Sequence, residues 1–199
     1  MKKGWTYKKL GELCEINIGR TPSRSDNSLW DKEKESHNVW VSIADMPDCP
    51  TDTIYETKEY ISDKAARNIN IIKAGTILLS FKLTLGKTAI AGIDLYTNEA
   101  IANLPIKDKE ISREYLLYYF RFFDWNSYSS GEEKVKGKTL NKKKLDVLPI
   151  YYPSLSEQQA IVSRLDSAFA KIDVVKANAE KIMAECDAMK QALLKEMFE

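Results

Sequence analysis

PSLSEQQAIVSRLDSAFAKIDVVKANAEKIMAECDAMKQALLKEMFE, residues 153–199, contains no Gly, no Trp and, after its first residue, no Pro. All eight Gly, all six Pro and all four Trp of the 199-residue chain lie at or before Pro153. A breaker-free run rich in Ala, Lys, Glu, Leu and Ile predicts one long helix, because straight-chain residues lose little rotamer freedom there and nothing interrupts the backbone ladder. Ser156, with Gln159 three residues on, gives a capping-box pattern for its start.

Within this run Ile161, Leu165, Ala168, Ile172, Val175, Ala179, Ile182, Cys186, Met189 and Leu193 recur at alternating spacings of four and three. That is the a/d signature of a coiled coil, sustained for about four to five heptads. The alternative is an amphipathic helix lying on its own domain. Length favours the coil: about 42 residues at 1.5 Å rise span roughly 63 Å, whereas a domain of about 150 residues is only some 40 Å across. A homodimer is therefore expected, with Leu165, Ile172, Val175, Ala179, Ile182 and Met189 in its interface. Phe169, Met183, Leu194 and Phe198 fall off the seam, free to pack on the globular part or to hold a third protein.

Residues 1–153 read as an α+β domain, mixed and globular, with a small twisted sheet. Segments 39–45, 75–80, 88–93, 101–106 and 147–152 carry strand patterning between turn residues, and residues 80–90 can close a hairpin. Segments 62–68 and 113–123 read as helices, the second opening after Ser112 as a cap. Segments 19–34 and 127–139 are polar, irregular and long, which is where binding function commonly sits.

Composition excludes more than it assigns. Thirty Lys and Arg against 29 Asp and Glu leave a net charge of +1. The helix from Leu155 holds six basic and eight acidic residues, leaving about +3 for the rest; the sign suits DNA but the size is small. The start, MKKGWTYKKL, lacks the apolar stretch of a secretory signal. No run approaches the roughly 18 apolar residues of a membrane span, so a cytoplasmic protein is expected. Cys14, Cys49 and Cys186 have neither metal-ligand spacing nor a disulfide framework. FKLTLGKT (81–88) and GEEKVKGKT (131–139) imitate a phosphate-binding loop, but Phe81 and Glu132 stand where its first glycine must be. GxGxxG is absent, as is the Asp/Asn-Pro-Pro-aromatic signature of an amino-methyltransferase. The sole histidine, His37, sits in a charged run and reads as a solvated loop residue. No catalytic residue, metal site or cofactor is expected in the chain itself. The rival reading of a nuclease needs clustered carboxylates, which the sequence does not offer.

What remains is a set of donors. Segment 129–146, SSGEEKVKGKTLNKKKLD, holds six lysines, with Gly131 and Gly137 permitting close backbone approach. Loop 17–30, NIGRTPSRSDNSLW, adds Arg20 and Arg24, and arginine can pair bidentately with guanine. Lys82 and Lys87 flank a third edge. Were the ligand double-stranded DNA, Arg20, Arg24, Lys82, Lys87, Lys136, Lys138 and Asn141 would be the candidate contacts; the alternatives are a solvated charge run for 129–146 and an ordinary turn-rich loop for 17–30. Trp5, Trp30, Trp40 and Trp125 could stack on bases, although Trp40 lies in a strand and reads as core. Tyr115, Tyr118, Tyr119, Phe122 and Phe123, at helical spacing, read as core rather than as a stacking platform.

The order of WTYKKLGELCEINIGRTPS (5–23), VWVSIADM (39–46), GTILLSFK (75–82) with GKTAI (86–90), TNEAIANL (97–104) and GKTLNKKKLDVLPIYYPSLSEQQAIVSRLD (137–166) resembles the specificity subunits of Type I restriction–modification systems. The last block, an apolar-Pro strand followed by P-x-L-x-E-Q-x-x-I, is the most specific. The resemblance implies a target recognition domain over 1–153 and a helix over 154–199 for dimerisation, spacing and methyltransferase binding. It implies a full subunit of two such units, whose helices form an antiparallel coiled coil that fixes the gap between the halves of a split DNA site. It also implies partners: methyltransferase subunits that methylate adenine with S-adenosylmethionine, and a restriction subunit using ATP and Mg. Gly19, Thr21, Pro22, Trp40, Ser42, Asp45, Gly75, Gly86, Lys87 and Leu140 fall on positions the family keeps, mostly as scaffold; base-reading residues vary between members. This sequence holds one unit, so a dimerising half-subunit and a piece of a longer protein both stay open. A stand-alone DNA-binding coiled-coil adaptor without methyltransferase partners is the runner-up.

Overall fold

The structure is a computed structural model that describes residues 4–129, 133–134 and 137–198. It divides into one unit running to Gln158 and a second from Gln159. In chain order the elements are β1 (Thr6–Lys9), α1 (Leu10–Leu13), β2 (Asn17–Ile18), β3 (Trp30–Asp31), β4 (Val39–Val41), β5 (Thr53–Ile54), β6 (Glu59–Ile61), α2 (Asp63–Ala66), β7 (Ile77–Ser80), β8 (Lys82–Leu83), β9 (Thr88–Ala91), β10 (Tyr96–Thr97) and β11 (Ile101–Leu104). Then follow α3 (Arg113–Phe122), α4 (Trp125–Tyr128), β12 (Glu133–Lys134), β13 (Gly137–Thr139), α5 (Lys142–Asp146), β14 (Pro149–Tyr152) and α6 (Leu155–Phe198). This is the expected α+β class with a long C-terminal helix.

The strands form several small sheets rather than one. The largest runs β2-β11-β7-β9-β5, the next β10-β4-β6-β3, and β12-β13-β8 and β1-β14 complete the set. All four residues of β7 are buried, as befits a central strand covered on both faces. Its antiparallel register with β9 sets Leu78 opposite Ala89, closing the hairpin expected at 80–90. Alternation along β4 sends Val39 and Val41 into one apolar cluster with Leu78, Ala89 and Ile101, and Trp40 into another with Ile61, Ala65 and Tyr96.

Several segments end sooner than their sequence pattern. The strand expected over 39–45 stops at Val41 because Ser42 and Asp45 cap each other. The Ser42 N–H and Oγ–H both donate to Asp45 Oδ2, at 2.9 and 2.6 Å, and turn Ile43–Asp45 into a 3-10 turn. The helix expected over 62–68 keeps only Asp63–Ala66, capped by Ser62. Helix α3 starts as expected, with Ser112 Oγ accepting from the Tyr115 N–H at 3.2 Å. Segment 127–139 is not irregular throughout, since it holds the end of α4 and strands β12 and β13.

The start of α6 corrects the expected cap. Ser154, not Ser156, stands before the first helical residue, and its Oγ accepts from the Glu157 N–H at 3.4 Å. The reason lies in Gln158, which is fully buried. Its Oε1 accepts from the Ser112 N–H at 2.8 Å, and its Nε2 donates to the Glu110 and Pro153 carbonyls at 2.7 and 2.9 Å. Those three bonds are met with Leu155–Gln158 already wound, so Ser156 lies inside the helix. Nearby, Lys8 Nζ bridges Asp108 at 2.6 Å and Glu110 at 2.9 Å, tying β1 to the loop before α3. The Lys8 ammonium holds the Asp108 carboxyl below the usual carboxylate range. Cys14 is buried, and desolvation pushes its thiol up to about 12.

Candidate nucleic-acid interface

Loop 19–30 is clamped before any side chain leaves it. A Cβ on Gly19 would stand 2.1 Å from Thr97 Oγ1 and 2.3 Å from the Thr97 and Asn98 carbonyls, so only glycine lets the backbone press onto the end of β10. The next residue is held on both sides: the Arg20 N–H donates to the Thr97 carbonyl at 2.8 Å, and its carbonyl accepts from Trp40 Nε1 at 3.1 Å. The Arg20 side chain is exposed, with its backbone fixed beneath it. Thr21 Oγ1 donates to the Glu99 carboxylate, which keeps that carboxyl below its ordinary range.

Arg24 is occupied differently. Its guanidinium forks onto Glu59, with Nη2 to Oε2 at 3.0 Å, and lies 3.8 Å over the Trp30 ring and 4.9 Å from that of Trp40. The two indoles meet edge-on at 5.0 Å, and Trp30 Nε1 donates to the Ser23 carbonyl. Arg24 thus fastens the loop to β3, β4 and β6. Beside it opens a cleft of about 350 Å³ lined by Arg24, Asn27, Trp30, Lys32, Lys58 and Glu59 among others. A larger cleft of about 850 Å³ is lined by Asp45, Asp52, Glu56, Tyr55 and Tyr60, a lining whose sign repels phosphate.

The loop between β7 and β9 is the second edge. Ser80 organises it: its backbone exchanges bonds with Lys87 and Gly86, and its Oγ accepts from the Lys87 N–H at 2.9 Å while donating to the Thr84 carbonyl. Gly86 has φ +82°, and a Cβ there would meet Trp125 Nε1 at 2.2 Å. Lys87 Nζ is spent on the Met46 carbonyl at 3.2 Å and Asp48 at 3.0 Å. Lys82 is half-buried, with its ammonium 5.2 Å from the Phe81 ring. Strand β13 pairs antiparallel with β8, setting Lys138 opposite Leu83. The structure therefore sets Lys82 opposite Thr139, one residue along from the Lys138 backbone, a pairing invisible in the sequence. Lys136 lies outside the described residues.

Asn141 has a structural task as the N-cap of α5, its Oδ1 accepting from the Lys144 N–H at 2.9 Å. Lys142 and Lys143, two of the six lysines of segment 129–146 but not among the named candidates, are exposed at the start of that helix. Trp125 is no stacking residue: it is buried, and its Nε1 donates to the Phe120 carbonyl at 2.7 Å. Tyr115 and Phe120 are core, whereas Phe122 is exposed. His37 is an exposed loop residue with φ +56°. On α6, Ile172, Val175, Ile182 and Met189 are 57–67 % exposed, Ala179 is exposed, and Leu165 is half-buried.

A family model described as the type I restriction modification DNA specificity domain matches residues 2–184. The chain belongs to that family. As a DNA specificity domain it is a recognition module rather than an enzyme. It is 32 % identical over 171 residues to the type I restriction enzyme MjaIX specificity subunit of Methanocaldococcus jannaschii, covering 82 % of this chain and 37 % of that protein. Among solved structures, one concerned with complex assembly and conformational transition of the type I R-M system has a chain with TM-score 0.78 and 26 % identity, covering 98 % of this specificity domain and 46 % of that chain. The HsdS subunit from Thermoanaerobacter tengcongensis shares the fold, with TM-score 0.66 and 24 % identity over 88 % of this chain and 40 % of its own. The specificity domain thus spans less than half the length of each of these relatives. Among its described residues no helix is long and apolar enough to cross a membrane.

Proposed function

We propose that this chain is the DNA-reading half of a type I specificity subunit that pairs with itself and directs adenine methylation to a bipartite site. The observation that carries the reading is the family match, which runs through both the globular unit and most of α6. Arg20, Lys82, Lys136 and Lys138 are the contacts to double-stranded DNA, with Lys142 and Lys143 adding charge. Arg24, Lys87 and Asn141 hold the loops that carry them. The exposed a/d seam of α6 supports a homodimer, since apolar residues at that spacing and exposure await a partner. Residues 1–153 are the target recognition domain, and 154–199 serve dimerisation, spacing and the methyltransferase subunits. S-adenosylmethionine belongs to those subunits, and ATP with Mg to a restriction subunit where one joins. The place of work is the cytoplasm.

Binding of DNA duplexes across a salt series tests the reading. Replacing Lys136 and Lys138 by Gln should weaken all sequences alike and flatten the slope of log affinity against log salt by about 0.9 for each phosphate no longer neutralised. Unchanged affinity after neutralising these lysines together with Arg20 and Lys82 would place DNA on another face. Labelled methyl transfer to DNA should need an added methyltransferase subunit; transfer by the chain alone would contradict the proposal.

A further inference from the structure

Leu83 is an anomaly in the loop after β7. It is a bulky side chain at φ +65°, a region that suits Gly or Asn and that such a residue rarely enters. It is also 54 % exposed, so burial does not offset the strain. The backbone around it is over-determined. Phe81 before it is fully buried, and its N–H and carbonyl are bonded to Ala100 and Leu140 at 3.0 Å each. After it, Ser80 ties down Thr84, Gly86 and Lys87, and Trp125 packs on Gly86. Its neighbours are Lys82 in sequence and Lys138 across the β8–β13 pair. A strained residue in a rigid frame points to a task for its side chain. An apolar tip next to Lys82 on a paired β-ribbon suits a polyanion that carries apolar groups between its charges, and that describes the major groove, which admits a two-stranded β-ribbon and displays thymine methyls.

Resting on the DNA-reading function above, we propose that Leu83 packs on the C5-methyl group of one thymine in each half-site and so discriminates thymine from cytosine there. The test uses the full chain. Selection from a pool of random duplexes yields its preferred sequence, and each thymine of that sequence is then replaced in turn by deoxyuridine, which lacks only the methyl group. For the wild-type chain one replacement per half-site should weaken binding about four-fold, the worth of one buried methyl. With Leu83→Asn or Leu83→Ala the same replacement should have no effect. Asn enters the left-handed region more readily than Leu, so Leu83→Asn should melt no lower than the wild type, and a missing response is not then a missing fold. If every deoxyuridine substitution acts equally on wild type and variants, the methyl contact is wrong, including the case where Leu83 wedges between bases in the minor groove, while sequence selection still stands. A pool returning no enriched sequence overturns the DNA-reading function and this inference with it.

Discussion

Gln158 shows how much a single side chain can settle. It is polar, fully buried and bonded at both ends of its amide to three backbone groups. Gln158→Ala should cost about 2–4 kcal/mol, because the Ser112 N–H and two carbonyls are left without partners; urea denaturation would measure it. Asp108 sets a pH dependence. Its carboxyl is held low in the fold, first by the bond from Lys8, so the ionised form is the one the fold favours. That contribution is complete above the ordinary carboxylate value of about 3.9 and disappears as the pH falls through the lower folded value. Asp108→Asn should therefore flatten the acid limb of a stability–pH curve, and an unchanged limb would mean the pair contributes nothing. Residue identity alone did not separate an exposed side chain from one held in the fold. Arg20 and Arg24 look alike in the sequence, but one has a fixed backbone beneath an exposed side chain while the other is forked onto Glu59, which lies 35 residues away. Leu83 carried no signal at all, since neither its φ nor its exposure follows from its neighbours.

Elements were legible in proportion to their length. Helix α6, with 44 residues and about 66 Å of rise, was plain from its lack of breakers, and α3 from its cap and aromatic spacing. Strands of two residues such as β2, β3, β5 and β10 are too short for alternation to show; long-range pairing defines them. The α6 seam makes a direct prediction. Replacing Ile172 and Val175 by Asp would bury unpaired charge in a paired helix, costing at least several kcal/mol, and sedimentation should then show monomers. A wild-type chain that is monomeric at micromolar concentration would remove the homodimer. Deleting one heptad, residues 172–178, keeps the a/d phase and shortens the helix by about 10 Å, roughly three base pairs of DNA. The half-sites also rotate by nearly a third of a turn, so the DNA must twist or bend to follow. The preferred spacer should shrink while the half-site sequence stays, or binding should fail. An unchanged spacer at full activity would show that the helix is not the ruler.

At the scale of the whole molecule, a net charge of +1 gave almost no hint of a polyanionic ligand, because the acidic residues of the long helix cancel the surplus elsewhere. The family resemblance, carried by the 137–166 block and the motifs before it, made the class legible; the family match then covered 2–184. The sheets escaped that reading, because strand order is a property of distant pairings. A twofold dimer presents two identical readers, so its target should be an inverted repeat of one short half-site around an unread spacer. Genome-wide mapping of methylated adenines, in cells carrying an adenine methyltransferase subunit that co-purifies with this chain, with and without the chain itself, tests this most directly. Methylation confined to such an inverted repeat, and dependent on the chain, is the expected result; chain-dependent methylation at a site whose two halves differ, or methylation that persists unchanged without the chain, would contradict it.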